Sequence, residues 1–141
     1  MERHTMMVDL EKSMRRVFRQ IRYEINDLLQ SEMTSSEFAI LRLLSEGGGK
    51  KATELSKALG VSASHITAVT DTMIDKEYIT RRRSPNDRRV VEIVITEKGE
   101  EIFKKFGDKK LKYLTEKFEV ISDEELQQLI NALHRLDRFK E

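Results

Sequence analysis

The chain has 141 residues, of which 36% are charged and 38% hydrophobic, which suits one domain with helical extensions and excludes a disordered chain. Cysteine is absent, which excludes disulfides, thiolate metal sites and cysteine-based redox sensing and fits a reducing cytoplasm. No apolar run approaches the ~20 residues that span a bilayer, and the N-terminus, with Glu2 and Asp9, has no signal-peptide core, so a cytoplasmic protein with no membrane partner is expected.

Net charge is only +1, which taken alone argues against nucleic acid. The distribution reverses that reading. Basic and acidic residues number 7 and 8 over residues 1–49, 9 and 5 over 50–90, and 10 and 12 over 91–141. The middle third is therefore net positive, and it holds five arginines between Arg81 and Arg89. Phosphate contact needs charge concentrated in this way.

In chain order, Leu10, Met14, Val17, Phe18, Ile21, Ile25, Leu28 and Leu29 recur in steps of three and four. The spacing predicts an amphipathic helix over residues 8–29, with Arg15, Arg16, Arg19 and Arg22 mostly on its solvated face and Gln30-Ser31-Glu32 at its end. Thr34-Ser35-Ser36-Glu37 is a capping box. The helix that it opens carries Phe38, Ile40, Leu41, Leu43 and Leu44 and stops at Gly47-Gly48-Gly49. Those glycines form no phosphate loop, because Lys50-Lys51-Ala52 follows in place of G-K-[ST].

A short helix is expected over residues 52–59, with Leu55, Ala58 and Leu59 on one side, and Gly60 stands at its C′ position. Ser62 caps the next helix. Helix, glycine-containing turn, second helix is the helix-turn-helix pattern. On the second helix Ile66, Val69, Met73 and Ile74 face the core, which leaves Ala63, Ser64, His65, Thr67 and Thr70 facing outward as candidate DNA contacts. Ser62 is assigned a cap and a phosphate contact. With only His4, His65 and His134 in the chain there is no ligand cluster, so neither a metal nor a cofactor is expected.

Residues 79–83 and 90–95 read as strands, the second through the alternation of Val91, Ile93 and Ile95 with Glu92 and Val94. Ser84-Pro85-Asn86-Asp87-Arg88 supplies the turn. Arg81, Arg88 and Arg89 make this hairpin basic, able to reach phosphates or a minor groove. Thr96-Glu97-Lys98-Gly99 opens a further helix with Ile102, Phe103, Phe106, Leu111, Leu114 and Phe118, in which Gly107 is a candidate bend. Ser122-Asp123-Glu124-Glu125 opens a last one with Leu126, Leu129, Ile130, Leu133, Leu136 and Phe139. The apolar faces of the terminal helices, notably Leu10, Met14, Val17, Leu129, Leu133 and Leu136, exceed what one small protomer covers and suggest pairing between chains.

The fold class expected is therefore mainly α with a small β-hairpin wing. It is a winged helix-turn-helix over residues 33–98, flanked by dimerisation helices over 1–32 and 99–141. At this point the chain resembles the MarR family of bacterial transcription regulators along nearly its whole length. The resemblance rests on L-S-K-A-L-G-V-S at residues 55–62, S-P-N-D-R-R at 84–89 and I-T-E-K-G at 95–99, in that order and spacing. It implies a homodimer with interlocked terminal helices, bound through two winged lobes to a palindromic operator. It also implies repression relieved by a small molecule held between lobe and dimer helices. A small phenolic or other apolar effector fits, and Phe18, Tyr23 and Phe38 are candidates to line its site or to be plain core.

In residue terms the resemblance maps recognition-helix contacts onto Ala63, Ser64, His65 and Thr67, and a recurrent wing arginine onto Arg81. It implies that Asp87 holds Arg89 while Arg89 enters the minor groove. Two departures stand out: Glu77 occupies a turn where the family usually has glycine, and the first turns of the recognition helix lack arginine. Hydroxyl, methyl and imidazole contacts, with shape readout by the wing, must then supply specificity. The hydroperoxide-sensing branch of the family needs a reactive cysteine, which is absent here. The alternative function is a winged-helix protein-interaction module without its own operator. An enzyme is not expected, because Asp71 and Asp75, four residues apart, lack a second ligand helix and are better read as solvated charges or partners for arginines.

Overall fold

The computed structural model describes residues 2–29 and 32–138. Helix α1 spans Arg3–Leu29, α2 Ser35–Gly47, α3 Ala52–Leu59 and α4 Ala63–Asp75. Strands β1 (Ile79–Arg83) and β2 (Val91–Ile95) follow, then α5 (Glu97–Lys117), a 3-10 turn (Phe118–Val120) and α6 (Asp123–Leu136). The strands pair antiparallel, with Ile79 opposite Ile95 and Arg83 opposite Val91. A mainly α winged helix-turn-helix results, as expected.

Local chemistry sets the helix starts. Thr34 Oγ1 accepts from the Glu37 N–H at 3.1 Å while Glu37 Oε1 accepts from the Thr34 N–H at 2.9 Å. Ser122 and Glu125 repeat the same reciprocal arrangement at α6. These donors have no partner inside the helix, and each such cap contributes about 1 kcal/mol. Ser62 caps α4 by accepting from the His65 N–H, and Thr96 caps α5 by accepting from Gly99.

Apolar side chains from six of the elements meet in the core. Ile40, Leu41 and Leu44 of α2, Leu55 of α3, Ile66 and Met73 of α4, Ile79, Ile93 and Phe106 are each no more than 3% exposed. Burying each such side chain contributes about 1.5–3 kcal/mol. This core gives α4 a fixed back and leaves its other face to solvent. The α2–α3 connection also reaches the sheet: Lys50 and Ile93 exchange backbone hydrogen bonds at 3.0 and 2.7 Å.

Several boundaries differ from the sequence expectation. Helix α1 begins at Arg3, five residues before 8, because Arg3-His4-Thr5-Met6-Met7 contains no breaker and Met6 and Met7 prolong the stripe. Strand β2 begins at Val91, because the Val90 N–H turns back to the Asp87 carbonyl at 3.0 Å and closes the loop. Helix α5 runs unbroken through Gly107. Ala58 is exposed, so only Leu55 and Leu59 carry the inner side of α3. The expected helix end at Gln30-Ser31 and the apolar Phe139 lie outside the described residues.

Glycine positions carry two geometric requirements. Gly60 takes φ 65° in the turn between α3 and α4, the left-handed conformation that ends helices without a Cβ penalty. At Gly99 an added Cβ would stand 2.1 Å from the Tyr78 carbonyl oxygen, so the first turn of α5 rests directly on the backbone that leads into β1. Glu77 adopts φ 67° although it is not glycine; the chain keeps the turn and bears a left-handed residue there, at a cost of about 1–2 kcal/mol.

Helices α1 and α5 are clamped by polar contacts. Glu24 Oε1 accepts from Lys117 Nζ at 2.9 Å and from the Tyr113 hydroxyl at 3.0 Å. The hydrogen bond from Lys117, then that from Tyr113, holds the Glu24 carboxyl below its ordinary range against the opposing effect of burial.

Two outcomes follow from these contacts. Gly99→Ala should lower the unfolding free energy by about 1–3 kcal/mol, the range for overpacking, in denaturant titration. The depressed Glu24 carboxyl stabilises the fold above its ordinary value of 4.5, and that contribution disappears as pH falls through the lower folded value. The melting-temperature gap between wild type and Glu24→Gln should therefore be steady at neutral pH and close on acidification below that value.

Candidate nucleic-acid interface

Helix α4 places two kinds of side chain on two faces. Ile66, Thr70 and Met73, spaced by four and three residues, form the buried face, each at most 1% exposed. Ser62, Ala63, Ser64, His65 and Thr67 are exposed. Thr70 was expected among them and is not: its hydroxyl donates to the Ile66 carbonyl at 2.7 Å and lies 3.2 Å from that of Thr67. Bonding back to the helix satisfies the hydroxyl internally, so a threonine can occupy the core stripe. Thr70 is removed from the set of groups that can face DNA.

The exposed groups have distinct capacities. Thr67 Oγ1 donates to the Ala63 carbonyl at 3.0 Å, which leaves its lone pairs and its methyl group for a partner. A base amino group or a thymine methyl matches that offer. The Ser62 and Ser64 hydroxyls lie 3.2 Å apart, so the first turn presents a small polar cluster beside the backbone N–H groups of the helix start. His65 lines a shallow groove between α4 and the start of α2, together with Thr34, Ala68 and Thr72.

The wing joins α4 through Arg81. Its guanidinium donates to Asp71 Oδ1 at 2.8 Å, and Asp71 lies on the same stripe as Ser64 and Thr67. Arg81 thus brings a guanidinium beside a recognition helix that has none of its own. Asp71 is a partner for an arginine, one of the two readings that its sequence position allowed.

At the wing tip the loop is self-bonded. Ser84 N–H donates to the Val90 carbonyl at 2.8 Å, and Arg83 donates to the Arg88 carbonyl at 3.2 Å. Asp87 accepts three times from Arg89: from its backbone N–H and its Nε through Oδ1 and from its terminal nitrogen through Oδ2, each at 3.1 Å. The Arg89 side chain is nevertheless 89% exposed. The forked side-chain bond, then the backbone bond, depresses the Asp87 carboxyl, and the same fork raises Arg89. Arg88 is exposed beside it.

A separate cavity of about 200 Å³ lies between α1, α2 and α5. Ile25, Leu29, Phe38 and Ala39 give it an apolar floor, and Arg22, Arg42 and Lys110 stand around it. Burial first, then the neighbouring Arg42 charge, lowers the Lys110 ammonium. Of the three aromatics singled out in the sequence, only Phe38 lines this cavity. Phe18 is 53% and Tyr23 74% exposed.

A core-backed helix with a small polar first turn, set beside an arginine-tipped hairpin, is the working end of winged helix-turn-helix DNA-binding proteins. Comparison with known proteins narrows the class. The MarR family profile matches residues 33–91. YpoP of Bacillus subtilis, an HTH-type transcriptional regulator, is 51% identical over 136 residues, covering 96% of each chain. The transcriptional repressor MdtR of the same organism is 23% identical over 137 residues, covering 96% of this chain and 88% of its own. The structure of a MarR family protein from Bacillus stearothermophilus superimposes with a TM-score of 0.86 at 27% identity over 96% of each chain. The chain belongs to the MarR family, and it is a DNA-binding transcriptional regulator of that type.

The wing geometry makes a prediction with an unusual sign. A pre-set guanidinium loses less rotamer freedom on binding and suits a narrow, electronegative minor groove. Arg89→Ala should lose most of the operator affinity and lower the salt slope by about one counterion per half-site. Asp87→Ala should also weaken binding, although it removes a negative charge. Tighter binding by Asp87→Ala at every salt concentration, measured by fluorescence anisotropy, would make Asp87 a repulsive surface charge with no orienting role.

Proposed function

We propose that this regulator is a cytoplasmic repressor that binds an inverted-repeat operator as a homodimer and is released by a small apolar or phenolic effector. The observation that carries the reading is the unpartnered apolar surface at both ends of the chain. On α1, Leu10, Met14 and Val17 are 40–48% exposed, and on α6 Leu129, Leu133 and Leu136 are 41–75% exposed. Surface of this kind on helices that extend from a complete core calls for a second copy. The chain then divides into dimerisation helices over 1–32 and 99–141 and a DNA-binding unit over 33–98.

In that unit Ser62, Ala63, Ser64, His65 and Thr67 meet the major groove. Arg81 and Arg88 reach the backbone or groove edge, and Asp87 orients Arg89 into the minor groove. The repressor assignment draws support from MdtR, whose name states that activity. The effector assignment draws support from the cavity between α1, α2 and α5, whose apolar floor and three cations suit an aromatic ring with an ionised oxygen. Ligand there would press on α1 and α5 from one side and on α2 from the other.

Selection of binding sites from random duplexes tests the reading. A two-fold dimer presents its recognition helices about one helical turn apart, so an inverted repeat with half-site centres about 10 bp apart is expected. A direct repeat or a lone half-site defeats the dimer, and no selection at moderate salt returns the chain to a protein-interaction role. Removal of residues 133–141 should dissociate or unfold the protein in sedimentation; a truncated chain that remains a DNA-binding dimer contradicts the assignment of α6.

A further inference from the structure

The groove between α2 and α4 ends on an ion pair that no sequence motif announces. Glu37 is 3% exposed, and Lys76 Nζ donates to its Oε2 at 3.0 Å and its Oε1 at 3.3 Å. The same ammonium donates to the Glu32 carbonyl at 3.2 Å, so all three of its protons have acceptors. Glu37 Oε1 meanwhile accepts from the Thr34 N–H. The Lys76 side chain keeps 32% exposure while the Glu37 carboxylate is buried, and such an ion pair adds little net stability, because desolvation of the carboxylate offsets the attraction. Its hydrogen bonds are directional, however, and they fix geometry.

The location of the pair decides what it fixes. Lys76 is the residue that closes α4, Glu77 after it takes the left-handed turn, and β1 begins at Ile79. Both elements that face DNA therefore depart from one anchored residue. The remaining footing of α4 on the core is apolar, through Ile66, Met73 and partly Val69 and Ile74, and apolar contact is non-directional; its other ion pair, Asp71 with Arg81, runs to the wing. A helix of this length is about 20 Å long. A tilt of about 5° at the Lys76 end displaces the Ser62 turn by nearly 2 Å, well beyond the roughly 0.5 Å span of good hydrogen-bond lengths.

We propose that Glu37 and Lys76 are positioning residues for operator reading: the half-buried pair sets the pitch of the recognition helix and the departure of the wing. It contributes to discrimination between operator and random DNA, not to holding the fold.

The test uses the full chain with Glu37→Gln and Lys76→Met combined. Glutamine retains an oxygen for the Thr34 N–H, so the cap survives, and no unpaired charge is left buried. The operator is the one that wild type selects. The double variant should melt within a few degrees of wild type, bind random duplex within twofold, and bind the operator at least tenfold more weakly. Lys76→Gln alone, altered only at the more exposed end, should show the same split in smaller measure. Operator affinity within twofold of wild type, or equal loss on both duplexes, in whichever variant folds, overturns the proposal; so does failure of both variants to fold. A wild-type chain that selects no sequence removes this proposal together with the repressor reading, whereas a variant that keeps wild-type selectivity removes this proposal alone.

Discussion

The position of α4 depends on one buried stripe. Ile66, Thr70 and Met73 press α4 onto the core formed with Ile40, Leu41, Leu44 and Leu55. Without that footing the small residues of the first turn would have no defined position, since Ser62, Ala63, Ser64 and Thr67 have too little surface to hold themselves. The stripe also explains the composition of the helix. Its first-turn outer residues Ser62, Ala63, Ser64 and Thr67 are short, and its inner residues Ile66 and Met73 are bulky because they carry its apolar contact with the core. Thr70 fits the inner stripe only because its hydroxyl finds acceptors within the helix.

The electrostatics follow a similar division. Net charge says little, since the basic groups gather on the wing and its surroundings. Acidic residues sit among them as partners: Asp71 holds Arg81 and Asp87 holds Arg89. Exposed pairs of this kind add little to folding stability. Each pair narrows the orientations open to its guanidinium, and a side chain ordered in advance loses less entropy on any contact.

Much of this was legible in the sequence because the determining interactions are local. Thr34 with Glu37, Ser62 with His65 and Ser122 with Glu125 act across three residues, and the left-handed turn at Gly60 needs only one. The hairpin was legible for the same reason, through alternation and a turn rich in Pro, Asn and Asp. What escaped was long in sequence and single in space. The Glu37–Lys76 pair joins residues 39 apart, and the Lys50–Ile93 bridge is one backbone exchange with no periodicity to betray it. Thr70 lies on the buried face that its helical spacing from Ile66 dictates, whereas its polarity alone points to the outer face. Met6 and Met7 extend α1 ahead of the first clear repeat because no breaker separates them from it.

The meeting of Gly99 with the Tyr78 carbonyl has a mechanical consequence. The peptide at Tyr78 also receives the Thr96 N–H on its carbonyl and gives its own N–H to Met73. One stretch of backbone therefore joins the end of the recognition helix, the root of the wing and the start of the long helix α5, with no side chain between them to act as a cushion. A joint without slack transmits rotation. If two such chains pair through their terminal helices, each lobe must follow its α5 as the jaw of a calliper follows its arm. The distance between the two reading heads is then gauged by the angle between the long helices, so a few degrees at the hinge become ångströms at the DNA.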